Sequence, residues 1–409
     1  MSDFQSDDSR YVGRQVRAVR ARRGMSQQVL ADRAGLSRGA IAKYENGERP
    51  IDSRRTLYAL AAALGVRITD LTGHPLEQVD PSAAMFHACI GDIETALWMG
   101  GHATHDSEPR PLGELAEAAR QVCRTRLACD FVTLGPMLAP LIIESYKHTY
   151  TVSEADRVAA WNILASVAFD TAIALRVRGY GALAWTAAQA IEQAAQHTDD
   201  TAGHAAAAFA RSQVLLSRPG AMSAALGCAE SSADKLQSSV ASRGELETYG
   251  MLHLQSALTG AALGKETDGH FAEAAEIADR LTEAEPGPSM MRNPTFGPEN
   301  VVLWRMSAAM EKREAGRVLE LAPLIAPDAI EAPSRRAQYF VEIGRAYALQ
   351  RNYRESLYAL LRAEHVGPQH VRSMTHVREL VGHMMRSARR DLTTGDLGRL
   401  AHRVGVVPA

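Results

Sequence analysis

The chain has 409 residues, 46% of them hydrophobic and 22% charged, with a formal net charge of −2. That length leaves room for about two to four domains, and so ordinary a composition excludes wholesale disorder. Aromatics at 6% with abundant alanine favour helices over sheets, and four cysteines without a C-x-x-C pair exclude zinc-ribbon and iron–sulfur patterns and a disulfide framework.

The first residues, MSDFQSDDS, are acidic and polar, without the basic-then-apolar order of a secretory signal. The most membrane-like run, Val158 to Val177, holds Asn162, Ser166 and Asp170, which predicts a packed core helix and no membrane partner. A soluble, cytoplasmic protein is expected. Charge is unevenly spread. Between Ser9 and His74 thirteen arginines and lysines face five acidic residues, a net +8, so the remainder carries −10. A basic block ahead of an acidic body is the pattern of a short nucleic-acid-binding module joined to a separate domain.

Residues 1–10 are expected to be disordered, and residues 11–74 read as five short helices. Val12, Val16 and Val19 recur at helical spacing until Gly24. Ser26 caps a second helix with Val29, Leu30 and Ala34 inward, and Gly35 allows a tight turn. Ser37 caps a third helix to about Asn46, with Ile41 and Tyr44 inward, ended by Gly47 and Pro50. Leu57, Leu60, Ala61 and Leu64 mark a fourth, and Ile68 to Leu71 a final turn. Arg14, Arg17, Arg20 and Arg23 are read either as phosphate contacts or as a solvated face. Arg54 and Arg55, opening the fourth helix, are phosphate candidates, and Glu45 reads as a structural carboxylate.

Gln27, Leu30-Ala31, Gly35, Ser37, Ile41 and Glu45-Asn46-Gly47 fall in one register within GMSQQVLADRAGLSRGAIAKYENGERPI. This stretch closely resembles the phage-repressor (Cro/cI, XRE-type) helix-turn-helix family over residues 11 to 72. The resemblance implies that the second helix of the motif lies in the major groove and that its first turn meets base edges. Those positions are Ser37, Arg38 and Gly39, with Lys43 further along the exposed face. Arg38 is suited to donate a fork of hydrogen bonds to O6 and N7 of guanine, whereas Gly39 brings no side chain. Gln27 and Asn46 are implied to hold the phosphate backbone.

Residues 75–83, bracketed by Pro75 and Pro81, read as a linker, and 84–409 as a helical body for sensing or dimerisation. Ala84 to Met99 is one predicted helix and 100–111 a loop. From Leu112 to about Ala388 the chain is helical, cut by Pro and Gly pairs. Residues 337–370 carry Phe340, Ile343, Gly344, Tyr347, Tyr353, Leu360, Ala363 and Pro368 at the spacing of a tetratricopeptide repeat, with Ser356 where alanine is usual. Fainter echoes start at Trp161, Tyr249 and Trp304. The expected fold is all-α: a five-helix helix-turn-helix domain followed by a tetratricopeptide-like α-solenoid with a concave groove, a generic helical bundle being the alternative. Gln338, Val341 and Arg345 would face that groove, with Asn162 and Arg305 as further candidates for a peptide or small-molecule effector.

Catalytic signatures such as H-E-x-x-H and G-x-S-x-G are missing, and no cofactor or enzymatic activity is expected. Gly264-Lys265-Glu266 lacks the glycine and the Ser or Thr of a phosphate loop. His102 and His105 read as a plain loop, and Cys123 and Cys129 as packed thiols. The sequence therefore predicts a transcription regulator bound to double-stranded DNA as a homodimer, its interface within 76–409. The alternative is a tetratricopeptide-type interaction scaffold whose helix-turn-helix does not read DNA.

Overall fold

The computed structural model describes residues 11–51, 53–66, 70–71, 81–100, 110–218, 220–281, 294–388 and 395–406. The expected disordered start, residues 75–80 of the linker, and the loop with His102 and His105 lie outside them. Every regular element among the described residues is helical.

Four helices form the N-terminal unit: α1 (Tyr11–Arg22), α2 (Gln27–Ala34), α3 (Arg38–Glu45) and α4 (Arg54–Leu64). Val12, Val16, Val19, Leu30, Ile41, Tyr44, Leu60 and Leu64 make its core. Of the expected fifth turn only residues 70 and 71 are described, and they are helical. Val29 departs from expectation: it is 39% exposed. In so short a helix the buried arc is set by Leu30 and Ala31, and a residue one step earlier lies about 100° away from Leu30.

The body begins with α5 (Pro81–Ala88) and α6 (Ile90–Met99), which split the single helix expected there. Antiparallel hairpins follow: α7 (Leu112–Leu127) with α8 (Phe131–Thr151), α9 (Glu154–Val177) with α10 (Gly181–Thr198), and α11 (Thr201–Leu216) with α12 (Met222–Leu236). Next come α13 (Arg243–Leu263) with α14 (Asp268–Arg280), α15 (Pro298–Glu311) with α16 (Ala315–Leu321), and α17 (Pro333–Leu349) with α18 (Tyr353–Val366). Three shorter helices close the chain: α19 (Pro368–Ser373), α20 (Thr375–Ser387) and α21 (Asp396–Arg403). The ends are set locally. Ser242 and Glu245 form a reciprocal capping box at α13, and Asp130 and Asn352 cap α8 and α18.

The apolar run of α9 is a core helix, with 83% of its most apolar window buried. Its buried Asp170 pairs with Arg126 of α7 at 2.5 Å, so this carboxylate has a countercharge. Small residues permit the α17–α18 hairpin. A methyl group at Gly344 would stand 3.0 Å from Leu360. Ser356, the departure from the repeat pattern, donates its hydroxyl to the Gly344 carbonyl at 2.8 Å, tying the two helices at their closest approach.

Two apolar cores run through the body and meet at α15. Val301, Trp304 and Ala308 belong to the first, which reaches back to α5, while Leu303, Met306 and Met310 belong to the second, which extends to α21. The two ends of the body also meet. Gln369 of α19 accepts from the Phe131 and Val132 amides at 2.8 and 3.2 Å, satisfying the open N-terminus of α8 across 238 residues of chain. Beside it, Arg178 lies over the rings of Phe86 and Phe131 and donates to the Gln369 carbonyl.

Candidate nucleic-acid interface

The helix-turn-helix is built from its caps. Ser26 accepts from the Val29 amide and Ser37 from the Ala40 amide, both at 3.1 Å, which fixes where α2 and α3 start. Gly35, between them, has φ +63°, a left-handed conformation that glycine adopts without strain. On the far side, α1 and α3 cross so closely that a methyl group at Gly13 would sit 2.1 Å from the Tyr44 carbonyl oxygen.

Helix α3 is sharply two-faced. Ile41, Tyr44 and Glu45 are buried, while Arg38, Gly39, Lys43 and the capping residues Ser37 and Asn46 are exposed. The buried acid is held firmly: Glu45 accepts from Arg20 Nε at 2.6 Å and Nη2 at 2.9 Å, its side chain being only 1% exposed. Gln27 donates to the same carboxylate at 2.9 Å. Arg20 also donates to the Met25 carbonyl, and its hydrogen bond with Glu45 raises its pKa further. Glu45 is thus the structural carboxylate expected from sequence, and Arg20 a framework residue. Arg23 is a second one, donating to the Gly65 carbonyl at the end of α4.

The phosphate candidates divide. Gln27 and Asn46 stand at the two ends of the motif, Asn46 with a long contact to Glu48 at 3.4 Å. Arg54 opens α4, and its side chain lies outside what is described. Arg55 is exposed. Its guanidinium rests on the body, where a methyl group at Gly264 would stand 3.2 Å from Nη1. Gly264 ends the 21-residue α13, whose terminal carbonyls attract a cation. The N-terminal unit is anchored there by apolar contacts as well: Tyr58 is part of the body's first core, and Leu57 packs between that core and the N-terminal unit's own. From the opposite side Arg386 of α20 donates to the Gly47 carbonyl at 3.2 and 3.0 Å, one turn past the exposed face of α3. Sequence reasoning missed these contacts, since they join residues hundreds of positions apart. It also missed Ser53, which caps α4 by accepting from the Thr56 amide and was legible as a serine just before the helix.

The expected effector groove is corrected at several positions. Val341 is fully buried in the second core. Arg345 is 5% exposed and bonds Glu342, which also takes Ser307 and Gln338, so these polar residues satisfy one another between α15 and α17. Asn162 is buried, and Arg305 lies over the Phe271 ring. The physical reason is shared. Neighbouring helices cover Val341, Arg345 and Asn162, while Gln338 and Arg305 stay partly exposed.

Residues 16–71 match a helix-turn-helix family model. A propionyl-CoA carboxylase regulator of Cereibacter sphaeroides is 36% identical over 69 residues, 17% of this chain and 15% of that protein. An immunity repressor protein of Bacillus phage phi105 is 39% identical over 62 residues, 15% of this chain and 42% of that protein. The chain therefore spans well under two thirds of either relative. Among solved structures, Bacillus thuringiensis PlcR in complex with the peptide PapR7 and DNA aligns over 67% of this chain and 96% of that chain, at TM-score 0.28 and 14% identity.

Proposed function

We propose that this chain is a sequence-specific, DNA-binding transcription regulator that acts as a homodimer, its helical body carrying dimerisation and a response to a peptide or small molecule. One observation carries the reading. Within a helix-turn-helix domain, α3 buries its acidic and apolar residues and turns only Ser37, Arg38, Gly39, Lys43 and Asn46 outward. Within it Ser37, Arg38, Gly39 and Lys43 meet base edges, with Arg38 on guanine, and Gln27, Asn46, Arg54 and Arg55 hold the flanking phosphates. Two relatives of this segment bear the names of a regulator and a repressor, in keeping with the same role.

One reading helix makes few base contacts, so useful affinity calls for two on a two-fold site. The exposed side chains of Met85, Trp98 and Met99 on α5 and α6 support a self-association surface in the body. Selection from random duplexes followed by salt titration tests the function. A recovered half-site, bound with a log–log slope of about −0.9 per phosphate neutralised, is expected. Equal binding to selected and random DNA overturns it. The docking of Arg55, Leu57 and Tyr58 on the body favours a second reading, an interaction scaffold in which the N-terminal unit is a packed module, and the same titration separates the two.

A further inference from the structure

Where α12, α13 and α14 come together, histidines from two of them meet beside a carboxylate of the third. His253 of α13 and His270 of α14 stand with Nδ1 to Nδ1 at 3.1 Å and ring centroids 5.2 Å apart, so each ring turns a nitrogen to its neighbour. Behind His270, Glu230 of α12 lies 3.5 Å from Nε2. Asp234, one turn further along α12, adds a negative field at His253. Tyr249 meets that ring edge-on while donating to Glu273 at 3.2 Å. The side chains of His270 and Glu230 are 27% and 42% exposed, so the pair is open to solvent at its rim.

Two neutral imidazoles this close hold one proton between them, one Nδ1 donating and the other accepting. The same spacing suits a metal ion. First-row ions bind imidazole nitrogen at about 2.0–2.1 Å, and two such nitrogens 3.1 Å apart subtend about 100° at the ion, between the octahedral and tetrahedral angles. Glu230 draws the His270 proton to Nε2 and leaves the Nδ1 lone pair aimed at His253. Burial first, and then the neighbouring ring, press His253 down to about 4, so it is neutral at ordinary pH with a lone pair to give. No third His, Cys, Asp or Glu completes a ligand set among the described residues, which leaves the other coordination positions to water.

We infer that His253 and His270 form a binding site for a divalent transition-metal ion of the zinc or nickel kind. The ion takes the place between the two Nδ1 atoms, the proton held there moves to His253 Nε2, and Glu230 acts as a positioning residue behind His270. Metal at this point ties α14 to α13, whose end at Gly264 carries the Arg55 contact. The inference goes beyond the DNA-reading proposal. Binding is measured without DNA, so that failure here leaves that proposal standing.

Isothermal titration of the full chain with zinc sulfate and nickel sulfate in a non-chelating buffer tests it. A saturable site with Kd at or below about 0.1 mM is expected, with calcium and magnesium silent because they take oxygen ligands. Zinc should also raise the melting midpoint of the wild-type chain. His270→Gln should remove one equivalent of bound metal. Glu230→Ala, at the exposed rim, should weaken that equivalent about tenfold, and it decides the matter alone should His270→Gln fail to fold. No heat with either ion, equal stoichiometry in wild type and His270→Gln, or full affinity in Glu230→Ala would each overturn the assignment and leave a plain hydrogen bond between two rings.

Discussion

Glu45 ties α3 to α1 and α2 at once, through Arg20 and Gln27. Replacing it by glutamine leaves the mostly buried Arg20 without its countercharge, a loss of about 3 kcal/mol by analogy with other buried pairs. A lower thermal midpoint of the N-terminal unit, with DNA affinity falling as it melts, is the expected outcome. Arg38→Ala should behave oppositely. Stability stays unchanged, while specific binding weakens by about 1–3 kcal/mol and preference relaxes at one base pair, measured on duplexes altered one position at a time. Equal losses on every sequence would contradict its role. Much at this scale was legible in the sequence: Ser26, Ser37 and Gly35 do the local work their chemistry dictates. Gly13 was not, because its need for bare backbone comes from Tyr44, thirty-one residues away.

Helices were readable as helices wherever caps and apolar period agreed, yet what each one leans on was not. α21 illustrates this. It is fastened by Glu364 of α18, which accepts from Arg403 of α21 at 2.7 and 2.5 Å and from Arg372 of α19 at 2.8 Å. Burial pushes the Glu364 carboxyl up, but the two guanidinium partners outweigh it and leave its pKa below the ordinary value. A depressed folded pKa means stabilisation that is complete above about pH 4.3 and fades as pH falls through the folded value. The protection factors of amides 396–403, observed exchange divided by the intrinsic rate at the same pH, should therefore be high at neutral pH and drop in acid below that point. Glu364→Gln should show fast exchange at pH 7 already, and unchanged exchange would refute the fastening role. The misplaced groove residues teach the same lesson. Val341 sits at the right point of the repeat, but periodicity fixes only which residues share a face, not what covers that face.

At the scale of the whole molecule, acid and surface substitutions should separate two properties. Burial and the nearby guanidinium groups of Arg335, Arg176 and Arg178 press His370 down to about 3. Between that value and about 6.5 the unfolded chain takes a proton that the folded one refuses, so stability should fall as pH drops, by at most about 1.4 kcal/mol per unit. His370→Asn should flatten that limb of a melting-temperature profile recorded from pH 7 to 4. Trp98→Glu, on the exposed face of α6, should shift sedimentation from two chains to one and remove the concentration dependence of the melting midpoint. A wild-type chain sedimenting as a monomer at micromolar concentration would refute the proposed pairing. Sequence revealed stacked hairpins but not their meeting ends, because the clasp depends on one glutamine whose partners lie at the opposite end of the body.

That clasp changes what the body can do mechanically. A coil with free ends responds to a bound molecule by stretching or tightening, with little resistance from the ends. With Gln369 bridging to the start of α8, a wedge driven into one joint is also felt at that bridge. Because Arg55 of α4 lies against Gly264 and Arg386 of α20 grips Gly47, such strain would reach both flanks of α3.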